Sequence, residues 1–190
     1  MTVDEIFSKI GAHAIEGMMT HDDLMNYYDF LGLRGMKTLH KYHSVCEYIG
    51  YQKICRHFVS HHNKLLPYSK VNSDTNVIPE TWYKYTRSEV DIGTKKTAVK
   101  NGLQMWHNWE TSTKQFYEDM YKELCDLEEY TDAKCILKLL KDVEKEIKCV
   151  DGLYLNAKAV DYDLAYILGE QEDIHECYED KLHHIGEKYD

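Results

Sequence analysis

Apolar residues recur at intervals of three and four along four long stretches of the chain, a pattern that predicts a protein built from amphipathic α-helices. The first stretch, roughly Val3 to Leu31, sets Ile6, Ile10, Ala14, Gly17, Met18 and Leu24 on one helix face. Thr2 followed by Glu5 has the form of a capping box, in which each residue satisfies a backbone N–H of the other at the helix start. LGLRGM, residues 31–36, brings two glycines close together and predicts the turn into a second helix, from about Met36 to Leu66, stopped by Pro67. Within it Leu39, Tyr42, Val45, Cys46, Ile49, Ile54 and Phe58 keep helical spacing. A third helix is predicted from about Thr94 to Leu127. A fourth follows Thr131 as N-cap, runs through AKCILKLLKDVEKEIKCVDGLYL and tolerates Gly152 at a cost of roughly 1 kcal/mol. The tail after Asp161 is expected to extend the fourth helix or to form a short fifth.

Residues 67–93 interrupt the pattern with Asn, Asp, Ser and the chain's two prolines, Pro67 and Pro79. A connection this long reaches from one end of a helix bundle to the other. Two long helices before it and two after it suit a single-crossover four-helix bundle better than a succession of short hairpins. The expected architecture is therefore all-α: a four-helix bundle over residues 1–160, with its crossover at about 67–93, and an acidic helical extension of the same domain over 161–190.

Composition narrows the function classes. With 43% apolar and 29% charged residues the chain has the make-up of an ordinary globular protein rather than a disordered one. The opening residues carry acids and no uninterrupted apolar run, so neither a signal peptide nor a membrane span is expected, and the location expected is cytoplasmic. Cys46, Cys55, Cys125, Cys135, Cys149 and Cys177 show no CxxC pairing and read as reduced, packed thiols. The net charge of −10 is concentrated: residues 117–190 hold 9 Lys and Arg against 21 Asp and Glu, whereas the earlier parts are nearly balanced. No basic stripe is present, so direct nucleic-acid binding is not expected. An acidic face of this kind attracts cations or a basic partner.

Glu16, Glu47, Glu110 and Glu146 fall near the middles of the four predicted helices. Buried carboxylates are costly unless a cation compensates them, and two iron or manganese ions bridged by carboxylates supply that compensation. Histidines stand near three of them: His13-x-x-Glu16, His107-x-x-Glu110, and His43 four residues before Glu47. Residues three or four apart share a helix face, so His13, His43 and His107 are the nitrogen ligands expected beside the four glutamates. His57, His61 and His62 close the second helix and read as a solvated helix end, as do His175, His183 and His184 in the acidic tail. No phosphate loop, nucleophile elbow or zinc-finger spacing is present, which leaves hydrolase and kinase readings without support. Most of the 16 tyrosines and 3 tryptophans are expected to pack the bundle.

In this order of residues the chain resembles the ferritin family. GLRGMKTLHKYHSVCEYIG is similar to the end of that family's first turn and its second helix, which puts the ligand glutamate of that helix on Glu47. The spacing from Glu110 to Glu129-Tyr130 resembles the third helix and the turn after it, and continuing without a gap puts the last-helix ligand on Glu146. Glu16 takes the first-helix role if about two residues are deleted in between. The resemblance spans roughly residues 6–155 and implies a ferritin-like di-metal site, iron or manganese as the metal, and a homo-oligomer. The family's second-helix histidine falls on Gly50 and its fourth-helix glutamine on Val143, so the carboxylate frame is present while two of its partners are not.

Two functions follow as expectations. One is a ferritin-like metal-binding protein that oxidises or sequesters ferrous iron, an oxidoreductase of the ferroxidase type. The other is a metal-free helical interaction protein whose acidic C-terminal third engages a basic partner, with Trp82, Tyr83 and Tyr85 in the crossover as a further contact surface.

Overall fold

The computed structural model describes residues 1–67, 70–71 and 85–189, with side chains as far as residue 185. Every regular element among them is helical: α1 (Val3–Phe30), α2 (Arg34–His62), a 3-10 turn at Arg87–Glu89, α3 (Ile92–Asp126), α4 (Tyr130–Ala159), α5 (Leu164–Gly169) and α6 (Gln171–Tyr189). None of the described helices is long and apolar enough to cross a membrane. All six cysteines are free thiols.

Local chemistry explains the boundaries. The Thr2–Glu5 capping box forms at the start of α1 as its sequence predicts. Helix α2 starts at Arg34, earlier than expected, because the turn occupies only residues 31–33 with Gly32 at φ 75°. It also ends at His62 rather than near Leu66. Asn63 takes a left-handed conformation, φ 52°, and its N–H bonds the Val59 carbonyl, a helix stop that asparagine tolerates better than most residues. Helix α3 begins where the Asp91 carboxylate accepts the Thr94 N–H at 2.6 Å. The expected cap of α4, Thr131, lies inside the helix, and Glu129 holds the N-cap position after left-handed Glu128. After Ala159 the tail neither extends α4 nor forms one helix. Asp161 and Tyr162 are both left-handed, so the chain turns away and continues as α5 and α6.

The two ends of the connection between α2 and α3 lie at opposite ends of α1. At its start the Ser8 hydroxyl donates to the Pro67 carbonyl at 3.0 Å, and at its end the Arg87 guanidinium donates to the Asp29 carbonyl at 2.7 Å. Ser8 and Asp29 lie about 30 Å apart along α1 at 1.5 Å per residue. The central part of this connection, including Pro79, Trp82 and Tyr83, lies outside the described residues.

Helices α1 and α2 form one antiparallel pair, α3 and α4 a second, and α1 meets α3 across them. Their core divides into two apolar clusters. One gathers Leu24, Tyr28, Leu39, Leu103, Trp106 and Val150; the other gathers Ile6, Phe7, Ile10, Phe58, Leu124 and Ile136. Helix α6 packs along α2, where Gln171 Oε1 accepts the Met36 N–H at 3.1 Å and His175 meets the Thr38 hydroxyl at 2.7 Å. That contact needs Gly35, because a Cβ there would run into the Gln171 backbone carbonyl. Between the two apolar clusters, midway along the four long helices, the interior turns polar.

A candidate carboxylate and histidine centre

Four helices supply this polar layer. Helix α1 contributes Gly17 and His21, α2 contributes His40, His43 and Glu47 at spacings of three and four, α3 contributes Trp106, Glu110, Thr113 and Tyr117, and α4 contributes Glu146. Glu110 is 0% exposed. Its Oε1 accepts the Trp106 indole N–H at 2.9 Å and lies 3.4 Å from His21 Nε2, while Oε2 has no hydrogen-bond partner. His43 Nδ1 lies 3.4 Å from Glu146 Oε1 without hydrogen-bonding geometry, so both nitrogens of this buried ring are unpartnered. The Glu47 carboxyl turns inward onto α1 at Gly17, where a Cβ would stand 2.8 Å from Glu47 Cδ. Glycine at that position makes the close approach possible.

Electrostatics tie the three glutamates together. Burial pushes the Glu47 carboxyl well above the usual range, and the charge of Glu146 pushes it further. Glu110 is raised by burial, then by Glu146 and Glu47, against the smaller downward pull of its Trp106 hydrogen bond. The Tyr117 phenol is raised by burial and then by Glu47, Glu146 and Glu110 in turn, which places it beside all three. No lysine or arginine ion-pairs with Glu47, Glu110 or Glu146 among the described residues. Negative charge here is balanced by protons or by a cation from outside the chain.

A histidine stack adjoins the carboxylates. His21 and His40 face each other Nδ1 to Nδ1 at 3.1 Å, and Tyr28 lies parallel to His40 with 5.2 Å between ring centroids. Burial holds both histidines well below their ordinary pKa, with His43 adding to the effect. Two neutral rings facing in this way share one proton, so the donor on one side sets the tautomer of the other. If His40 donates, His21 Nε2 carries a proton toward Glu110; if His21 donates, its bare Nε2 faces the carboxyl.

The expected ligands are not all gathered here. Glu47, Glu110 and Glu146 share the layer, and His43 sits beside Glu146. Glu16 lies toward the edge of α1, with its side chain 25% exposed and 3.9 Å from His13. His13 is turned to α3, where its Nε2 meets the Thr113 hydroxyl at 2.9 Å and its ring packs between Trp109 and Phe116. His107 faces outward to Asp151 on α4 at 3.2 Å. His21 and His40, which the sequence did not single out, occupy the interior instead. The available signal was their spacing: His21 follows Gly17 by one helical turn, and His40 precedes His43 by three residues. Among the described residues no three His, Cys, Asp or Glu side chains are arranged, as they stand, to hold a metal ion.

The layer is reached from outside by a cleft of about 850 Å³ between α2 and α4, with Glu47, Glu146 and Tyr117 among its lining residues. A second, separate polar cluster closes the far end of α2, where the 2%-exposed Asp132 accepts from His57 at 2.7 Å and from His62 at 3.0 Å. His57 and His62, expected at a solvated end, are thus tied down onto α4. No protein-family model matches the chain, and no curated protein matches it either.

Proposed function

We propose that this chain is a ferritin-like metal-binding protein that takes divalent iron or manganese between α2, α3 and α4. Glu47, Glu110 and Glu146 supply the oxygens, and His43 and His21 are the nearest nitrogens. One observation carries the reading: carboxylates from three helices come together in and beside the interior, and among the described residues no lysine or arginine ion-pairs with them. The donor types suit these metals, and Glu110 Oε2, His21 Nε2 and both His43 nitrogens are buried with their hydrogen-bonding capacity unused. Binding requires these side chains to swing together by rotamer changes. The open cleft beside Glu47 and Glu146 gives them room and gives an ion a way in. Iron held there supplies electron exchange with dioxygen, so ferrous iron is the substrate of the oxidising form of this reading. The chain's own part is to hold the ion, to exclude bulk water from the Glu110 side and to orient that carboxyl through the Trp106 indole.

The test is metal content. Protein purified with chelator, dialysed anaerobically against Fe(II) or Mn(II) and desalted, is expected to retain metal stoichiometrically, and Glu47→Ala and Glu110→Ala to lose it. His107→Ala is expected to retain it, since that ring faces Asp151. Less than about 0.2 metal per chain in the wild type would sink the proposal.

A second reading is favoured by α6, which exposes Asp173, Glu176, Glu179 and Asp180 while burying Tyr178 against the rest of the chain. An acidic surface of this kind suits a basic protein partner. Neutralising these four residues is expected to abolish salt-sensitive capture of that partner, and unchanged capture removes this reading.

A further inference from the structure

The cleft between α2 and α4 has features that metal binding does not use. Its walls run from Tyr42 to His57 on α2 and from Cys135 to Cys149 on α4, about 20 Å along each helix. Its volume, about 850 Å³, falls within the roughly 300 to 1,000 Å³ range of small-molecule sites. The shape is therefore long and narrow, which suits an extended molecule better than a compact one.

The lining is mostly aliphatic and aromatic, with four lysines, two histidines and the acids Glu47, Asp142 and Glu146 among it. Ile49, Ile54, Leu139, Val143 and Ile185 supply aliphatic surface, with Tyr178 toward the α6 end. Lys53, Lys138, Lys145 and Lys181 line it as well. This concentration runs against the charge of the region: residues 117–190 carry only 9 basic residues against 21 acidic ones, yet three of those nine are at this cleft. Two of the four lysines are already engaged. Lys145 pairs with Asp142 at 2.8 Å, and Lys181 lies 3.9 Å from the centre of the Tyr178 ring. Lys53 on α2 and Lys138 on α4 are exposed and make no ion pair among the described residues, so one free cation flanks the cleft on each wall near the same end.

We propose that this cleft binds an anionic single-chain amphiphile, a fatty-acid-like carboxylate. Its head lies between Lys53 and Lys138, and its chain extends past Ile49, Leu139 and Val143 toward Ile185. A purely polar anion leaves the aliphatic walls wet, and a cationic amphiphile meets lysines of its own sign. Of the three acids in the lining, Glu47 is turned away onto Gly17, Asp142 is paired with Lys145 at 2.8 Å, and Glu146 stands beside His43 rather than at the Lys53 and Lys138 end. This inference does not depend on metal binding, since every residue it uses acts without an ion.

Calorimetry on chelator-treated, metal-free protein tests it, with laurate below its micelle concentration as the probe and dodecylammonium and butyrate as comparisons. Laurate is expected to bind saturably, one per chain. Dodecylammonium lacks the charge match and butyrate lacks the chain, so each is expected to bind at least about tenfold more weakly. The double charge reversal Lys53→Glu/Lys138→Glu changes only exposed side chains, so it folds, and it is expected to invert the preference in favour of dodecylammonium. Leu139→Trp fills the cleft and is expected to weaken laurate and dodecylammonium alike. Absence of saturable laurate binding, equal binding of the two twelve-carbon probes, or an unchanged preference in the charge-reversed protein overturns the proposal. Because no metal is present, none of these outcomes bears on the metal reading.

Discussion

Replacing Glu110 by Gln removes one interior carboxylate while keeping an oxygen to accept the Trp106 indole N–H. In the folded chain this carboxyl is raised above its ordinary value of 4.5 by burial and by Glu146 and Glu47, whereas in the unfolded chain it titrates normally. Between pH 4.5 and the raised folded value, the native state thus binds a proton that the unfolded state does not. The stability this group allows is fully present below pH 4.5 and falls as pH rises, by about 1.36 kcal/mol per pH unit. Glu110→Gln is therefore expected to make the metal-free protein more stable at pH 7, with the gain growing by up to about 1.36 kcal/mol per pH unit above pH 4.5 and shrinking to near zero at pH 4.5. The difference between the two proteins is the quantity to measure, by urea unfolding in chelator. The absolute profile also contains buried histidines, whose depressed pKa values act in the opposite direction below pH 6.5. Manganese then gives the complementary result. At one hundred times its dissociation constant a ligand stabilises the native state by about 2.7 kcal/mol, so manganese is expected to narrow or reverse the difference between wild type and variant. A variant that is less stable than wild type at pH 7, or a difference that does not change with pH, would refute this account of the layer.

Three further outcomes test other parts of the structure. Burial lowers the His13 pKa to about 4, so the unfolded state takes up its proton first as pH falls; this group's contribution is lost from pH 6.5 down to about 4, a total of about 3 kcal/mol. Its ring resonances are expected to stay flat from pH 7.5 to 5, and titration near 6.5 contradicts the packing between Trp109 and Phe116. Gly35→Ala forces a Cβ against the backbone carbonyl of Gln171, which cannot rotate aside as a side chain does. It is expected to cost about 1–3 kcal/mol and to speed hydrogen exchange in α6, and an unchanged α6 rules out the contact. Asp132→Ala leaves His57 and His62 without their shared acceptor and is expected to destabilise the chain by about 2–4 kcal/mol in thermal or urea unfolding while metal stoichiometry is retained. Loss of metal in that variant contradicts the separation of the two clusters.

The helices were legible because each carries its own instructions. Three- and four-residue apolar spacing marked α1 to α4, Thr2 and Glu5 marked a start, and the long unpatterned stretch containing Pro67 and Pro79 marked the connection. The stops were harder to read. Asn63, Asp161 and Tyr162 end or follow helices through left-handed backbone, which leaves little trace in composition. The two His-x-x-Glu pairs show why the ligand set was only partly visible. Residues three apart on a helix are offset by about 60°, so they share a face loosely. Glu110 therefore points into the interior while His107 points out to Asp151. Glu16 stays near the edge while its neighbour Gly17 receives Glu47.

By itself the sequence determined that this protein is helical, where its four long helices lie, and that each carries a glutamate near its middle. These properties depend on side chains one turn apart, and such contacts are local. The tertiary structure decided which of those glutamates meet. Rotation of each helix about its axis, set by packing of the two apolar clusters, brings Glu47, Glu110 and Glu146 together with His21, His40 and His43 and leaves His13 and His107 on other contacts. It also folded the acidic tail back onto α2 through Gly35, Gln171 and His175. Contacts across well over a hundred residues of chain fix that arrangement, and no local pattern specifies their angle.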